Sequence, residues 1–241
     1  MGARSSVLYR NALPVTFARH GALKLRTPLS FGFARHCEAV PLGLSEIAVA
    51  AQWYPIAFSA AEPHQPLAIL GLVAGQNAFV DAAGHWREGA YVPAVIRRYP
   101  FGLGAFDEDE VLCVETVAEV LDAGEGGTPL FEGMKPSAAT RTALRLCQAI
   151  KADEAAAHAF VAQLKAFDLL DGRTAMVELP SGEKASLSGF LTIDEGRFRR
   201  LEDEAFLTLR RRGWLTPIFA QIQSTLNWGR LADHLGGRAA A

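Results

Sequence analysis

Residues 122–137 read Asp-Ala-Gly-Glu-Gly-Gly-Thr-Pro-Leu-Phe-Glu-Gly-Met-Lys-Pro-Ser. Gly124, Gly126, Gly127, Pro129 and Pro136 interrupt any helical or strand period, so the stretch reads as a connection. What lies on its two sides decides the fold class. Before it, short apolar runs at 54–59, 67–73, 78–80, 91–96 and 111–115 are separated by Gly, Pro and Asn, the pattern of strands. Beyond it the period lengthens to that of a helix: Leu144, Cys147 and Ile150 share one face, and Phe160, Val161, Leu164 and Phe167 share another. The expected fold is α+β. Residues 1–130 form a β-rich region, a meander or small barrel-like sheet, and residues 131–241 form a mostly helical region containing a β-hairpin, the two making one composite globular unit.

Local signals refine this outline. Ser45 is placed as the cap and Glu46 as a first-turn acid of an early helix that runs to Gln52 and stops before Tyr54-Pro55. Asp81-Ala82-Ala83-Gly84 has the residues of a type I turn. In the second region Ser137 caps one helix and Asp153 a second, and strands at 174–179 and 185–193 flank a turn at Pro180-Ser181-Gly182-Glu183. Asp194 caps a helix carrying Phe198, Leu201, Ala205 and Leu209 and closed by Gly213. Thr216-Pro217 opens a last helix that ends near Gly236-Gly237.

Composition excludes several function classes. A chain of 241 residues, 50% of them hydrophobic, can bury a substantial core. With 24 Lys and Arg against 26 Asp and Glu, the net charge of −2 gives no general attraction to nucleic acid or anionic lipid. The apolar run at 67–75 is far short of the roughly 20 residues a membrane span needs. Arg10, Asn11 and Pro14 interrupt the apolar core of any secretory signal, so a cytoplasmic location is expected. Cys37, Cys113 and Cys147 are odd in number and lack the spacing of a zinc site or disulfide framework. The histidines, at positions 20, 36, 64, 85, 158 and 234, show no helical i, i+4 pair, and no metal or other cofactor is assigned. Walker loops, nucleophile elbows, His-Glu-x-x-His and Gly-x-Gly-x-x-Gly after a strand are all missing from the sequence.

The densest chemistry lies at 84–101, Gly-His-Trp-Arg-Glu-Gly-Ala-Tyr-Val-Pro-Ala-Val-Ile-Arg-Arg-Tyr-Pro-Phe. If that segment is extended, Arg97 and Arg98 point to opposite sides and one of them is inward. An inward guanidinium needs a carboxylate, with Asp81 or Glu46 as internal choices, or else a bound acidic ligand. Trp86, Tyr91 and Tyr99 suit either a packed platform or stacking on a ligand. Arg98, Arg97, Tyr91, Trp86, Asn77 and Tyr99 are therefore the candidate ligand- or partner-binding residues, with no catalytic residue named.

Several blocks, in order, resemble the bacterial SapC family. They include Val40-Pro41-Leu42, Tyr54-Pro55-Ile56, Leu70-Gly71-Leu72, Asn77 with Phe79-Val80-Asp81, Gly84 with Trp86, and the run from Tyr91-Val92-Pro93-Ala94 through Arg97-Arg98-Tyr99-Pro100-Phe101. Near the C-terminus, Gly189-Phe190, Asp194-Glu195, Gly213-Trp214-Leu215, Ser224, Asn227-Trp228 and Arg230-Leu231 continue the likeness. Two positions depart from it: Gln221 stands where the resemblance implies a histidine, and Ala78 where it implies a larger aliphatic. The family takes its name from a surface-array (S-layer) gene cluster, and its genes are met beside those of TonB-dependent receptors and tryptophan-halogenase-like proteins. The resemblance thus implies an accessory protein of a bacterial cell-envelope or outer-membrane uptake system that binds a protein or peptide partner. The alternative is a small-molecule-binding protein or enzyme with an arginine and aromatic pocket for an acidic ligand.

Overall fold

The computed structural model describes residues 8–26, 30–106, 109–124, 126–178, 182 and 184–239. Its strands are β1 Ala12–Pro14, β2 Lys24–Leu25, β3 Ala39–Pro41, β4 Ile56–Ser59, β5 Pro66–Ile69, β6 Phe101–Phe106 and β7 Asp109–Glu115. The short β8 Leu121–Asp122, β9 Thr128–Pro129, β10 Phe131–Glu132 and β11 Lys135–Pro136 follow, then the long β12 Leu170–Glu178 and β13 Lys184–Ile193. Helices α1 Phe17–His20, α2 Ile47–Ala50 and α3 Ala94–Arg97 are single turns, whereas α4 Ala138–Ala166 spans 29 residues. Four more close the chain: α5 Glu195–Arg199, α6 Asp203–Arg211, α7 Leu215–Ser224 and α8 Asn227–Ala239.

The fold is α+β, with a sheet-rich first half and a helical second half that contains a hairpin. Its main sheet is antiparallel, in the order β12-β13-β4-β5-β3. All residues of β4 and β5 are buried, which is why their sequences are nearly unbroken apolar runs and not alternating ones. The hairpin of the second half completes this sheet by pairing Phe190 with Ser59 and Leu191 with Phe58. One apolar cluster accordingly takes Tyr54, Phe58 and Phe79 from the first half and Phe160, Leu164 and Ile218 from the second. A second sheet, β1-β7-β6, covers a smaller cluster of Phe101, Val114, Leu130, Phe131 and Cys147. Among the described residues no helix is long and apolar enough to cross a membrane.

Buried polar side chains weld helix α7 and the start of α8 to the turn before β4. Gln221, fully buried, donates from Nε2 to the carbonyl of Ile56 (2.9 Å) and accepts at Oε1 from the amide of Ile193 (3.1 Å). The Ser224 hydroxyl accepts from the Ile56 amide at 2.9 Å, and Asn227 donates from Nδ2 to the carbonyls of Ala51 and Tyr54. These bonds fill backbone valences at the start of β4, at the end of β13 and in the turn after α2.

The structure departs from the local expectations at several points. Residues 91–96 are no strand, since 94–97 form α3, and 78–80 contribute only an isolated bridge between Val80 and Trp86. The turn between them is as expected, with the Gly84 amide bonded to the Asp81 carbonyl and Gly84 at φ +85°. The connection at 122–137 carries β8 to β11, four two-residue strands too short to leave a periodic signal. The two helices predicted around Asp153 are one, because Ala152, Glu154 and Ala155 all favour helix and nothing breaks it. Asp153 instead caps from outside: its carboxylate accepts from the Ser45 amide and hydroxyl (3.0 and 2.6 Å), at a 3₁₀ turn Leu44–Glu46 whose own cap is Gly43 rather than Ser45. The stripe from Phe198 to Leu209 divides into α5 and α6, and Gly213 follows in the left-handed region. The last predicted helix divides after Ser224, and its second part continues through Gly236-Gly237. The predicted hairpin turn lies, apart from Gly182, outside the described residues.

Candidate functional site

Glu46 organises the densest segment. It lies buried at the end of the 3₁₀ turn, where its carboxylate accepts from the Gly43 amide (3.0 Å), the Tyr91 hydroxyl (2.7 Å) and the Ala94 amide (2.6 Å). The last of these is the first helical amide of α3, so Glu46 supplies from a distance the acceptor that Pro93 at the N-cap cannot. That bond, with Val95 and Ile96 buried, explains why β-branched residues that read as a strand form a helical turn here.

The two arginines leave this turn in different directions. Arg97 is exposed; it donates from Nε to the Val92 carbonyl (3.1 Å) and from a terminal nitrogen to the Tyr91 hydroxyl (3.3 Å), with its guanidinium 5.8 Å from the Tyr91 ring centre. It reaches Glu46 only through that phenol. Burial, then Glu46, push the Tyr91 phenol up to about 12, so it stays protonated and donates. Asp81 is engaged elsewhere, by the amide and ring of His85.

Arg98 is half-buried and makes no ion pair among the described residues; its guanidinium hydrogen-bonds the Tyr9 hydroxyl. Its Nε is sequestered from solvent without an acceptor, and its guanidinium lies 5.9 Å from the ring centre of Tyr9. Burial pushes the Tyr9 phenol up to about 12, with Arg98 opposing. Beside the two arginines runs a cleft of about 390 Å³ whose far wall is the first turns of α4, with Ala139, Thr142, Ala143 and Leu146, and whose floor includes Phe101. Its walls are mainly apolar.

The remaining predicted residues are dispersed. Asn77 is fully buried, donating to the Ala34 carbonyl and accepting from the Phe79 amide, and so braces the backbone rather than facing a cleft. Trp86 packs against Phe31 and Phe79 and borders a different cleft, with His85, Arg87 and His234. Tyr99 lies between two clefts: it lines the Arg98 cleft and, on its other side, a polar one containing Arg10, Arg35 and Glu119. Its ring stacks on Phe33 at 3.9 Å. The structure thus brings together Arg97 with Tyr91 and Arg98 with Tyr99, but neither pair with Asn77 or Trp86.

Sequence reasoning missed Glu46 as the hub and Tyr9 as the ring under Arg98. An acid directly before the apolar Ile47 was the one available signal for Glu46; Tyr9 carried none. The thiols offer no competing site, since all three cysteines are buried and burial pushes the Cys37 thiol up to about 11. Among the described residues no group of three or more His, Cys, Asp or Glu side chains could hold a metal ion.

Fold and clefts together define an α+β protein with an arginine set against an apolar channel. The chain belongs to the SapC family, whose model, described as SapC, matches residues 15–231. No curated protein and no solved structure matches the chain.

Proposed function

We propose that the protein is a binding component of a bacterial cell-envelope or outer-membrane uptake system, and that it holds an acidic, partly apolar segment of a partner protein in the cleft between Arg98 and α4. The observation that carries this reading is the Arg98 guanidinium, half-buried with Nε dry, the neutral Tyr9 phenol as its neighbour and no carboxylate paired to it among the described residues. Such a cation is poorly placed in the free protein and gains most from an incoming anion. The small side chains of Ala139 and Ala143 leave room for a chain to lie along α4, and the exposed Arg97 at the cleft's edge adds a second positive charge. The envelope setting comes from the family resemblance alone.

A fluorescent peptide alternating Glu and Leu tests the cleft, with its Gln and Leu counterpart as control. The acidic peptide is expected to bind in a salt-sensitive way, with Arg98→Gln weakening it by roughly tenfold or more and Arg97→Gln by less. Equal binding of both peptides, or no loss in Arg98→Gln, rejects the cleft. The envelope setting is tested separately by co-purification from the host, where a cell-envelope protein retained by the wild type and lost by Arg98→Gln is expected.

A further inference from the structure

On the opposite side of Tyr99 from the Arg98 cleft lies a more polar cavity of about 550 Å³, bordered by Arg10, Arg26, Arg35, His36, Glu115 and Glu119. Most of these groups are already committed. Arg26 is paired with Asp122 at 2.6 Å. Glu115 is nearly inaccessible, its carboxylate accepting from the amides of Arg10, Asn11 (2.8 Å) and Val117 (3.2 Å). His36 donates from Nδ1 to the Gly75 carbonyl at 2.9 Å.

Three groups are not committed. The Arg10 side chain has no partner among the described residues, and Arg35 spends only one terminal nitrogen, on the Ala82 carbonyl at 2.9 Å. The third is Tyr99. Its side chain is over nine-tenths buried, yet its hydroxyl makes no hydrogen bond among the described residues and still touches solvent. Tyr99 lines this cavity, and the charges that act on its phenol after burial itself are Glu115, Glu119 and, in the opposite sense, Arg10. Together these raise the phenol to about 12, so it is a donor at any physiological pH. Set on a nearly buried side chain and claimed by no acceptor among the described residues, it shares a cavity with two guanidiniums that still have donors to give.

We propose that this cavity is a second binding site, for a small molecule bearing an oxyanion, a carboxylate or a phosphate, held by Arg10, Arg35 and the Tyr99 hydroxyl. Planar guanidiniums donate two parallel bonds to either kind of oxyanion, and the phenol supplies a third direction. Glu119, exposed at the rim with no ion pair among the described residues, opposes the anion and sets its affinity. Neither Arg10 nor Arg35 borders the partner cleft, so their variants probe this site alone, whereas Tyr99 lines both.

Calorimetric titration of the full chain with inorganic phosphate and with citrate, at constant ionic strength and with chloride as the blank, tests this and separates the two sources. Saturable binding of at least one probe, with Kd below about 1 mM, is expected. Arg10→Gln and Arg35→Gln each weaken it by roughly tenfold, and Tyr99→Phe weakens it by less, with circular dichroism unchanged. Glu119→Gln tightens it by several-fold, a direction that general loss of structure cannot produce. Absence of saturable binding by both probes, arginine variants that bind as well as the wild type, or weaker binding by Glu119→Gln would overturn the proposal.

Discussion

At the scale of single residues, three buried polar side chains do most of the positioning: Glu46, Glu115 and Gln221. Glu115 makes a pH prediction. Burial raises its pKa, but the amides of Asn11, Arg10, Val117 and Thr116 outweigh that and hold the carboxyl below its ordinary value. A folded pKa below the unfolded one gives stability that is complete above the ordinary carboxylate range and is lost as pH falls through the folded value. Melting temperature is therefore expected to fall in acid, and Glu115→Gln to melt lower at neutral pH but with a flatter acid profile, measured from about pH 7 down to pH 3. Equal slopes for the two proteins would assign acid sensitivity to other groups. The sequence displayed these residues without their roles. Glu46 was legible as a helix-favouring acid, not as the acceptor for Ala94, because its partner lies 48 positions away. Gln221, at the position where the resemblance implies histidine, uses one donor and one acceptor, which a neutral imidazole also has. The departure is thus compatible with a bracing role.

Among the elements, uninterrupted apolar runs show in the sequence, whereas two-residue strands and the joins and breaks between helices do not. The apolar runs of β4, β5 and β7 and the hairpin β12–β13 were plain in the sequence, as was the Asp194 cap. The turn α3 was not, because Val95 and Ile96 favour strand locally and only a tertiary bond from Glu46 reverses that choice. The same limit applies to the site: the Arg97, Tyr91, Arg98 and Tyr99 neighbourhood was legible as a cluster, whereas its division between clefts depends on the helical turn. Gly71, after β5, tests a close approach. A Cβ there would sit 1.8 Å from the Gln76 carbonyl oxygen, a backbone atom that cannot rotate away. Gly71→Ala is expected to cost about 3 kcal/mol by chemical denaturation. A cost below about 1 kcal/mol would mean that the loop at 71–76 yields freely.

For the whole molecule, β4 is a central strand whose two neighbours come from opposite ends of the chain, β5 just after it and β13 some 130 positions later by the pairing of Phe190 with Ser59. During synthesis the first half therefore leaves the ribosome with one flank of β4, a strand wholly buried in the folded protein, open to any passing chain. Contacts so distant in sequence also form slowly. A version ending at Asp168, which keeps α4 but lacks β13 and the α7 residues that bond to Ile56, is expected to collect in the insoluble fraction, and a soluble, cooperatively melting product would contradict this. The late hairpin is thus a clasp, and the nascent protein depends on whatever shields that flank until the clasp arrives.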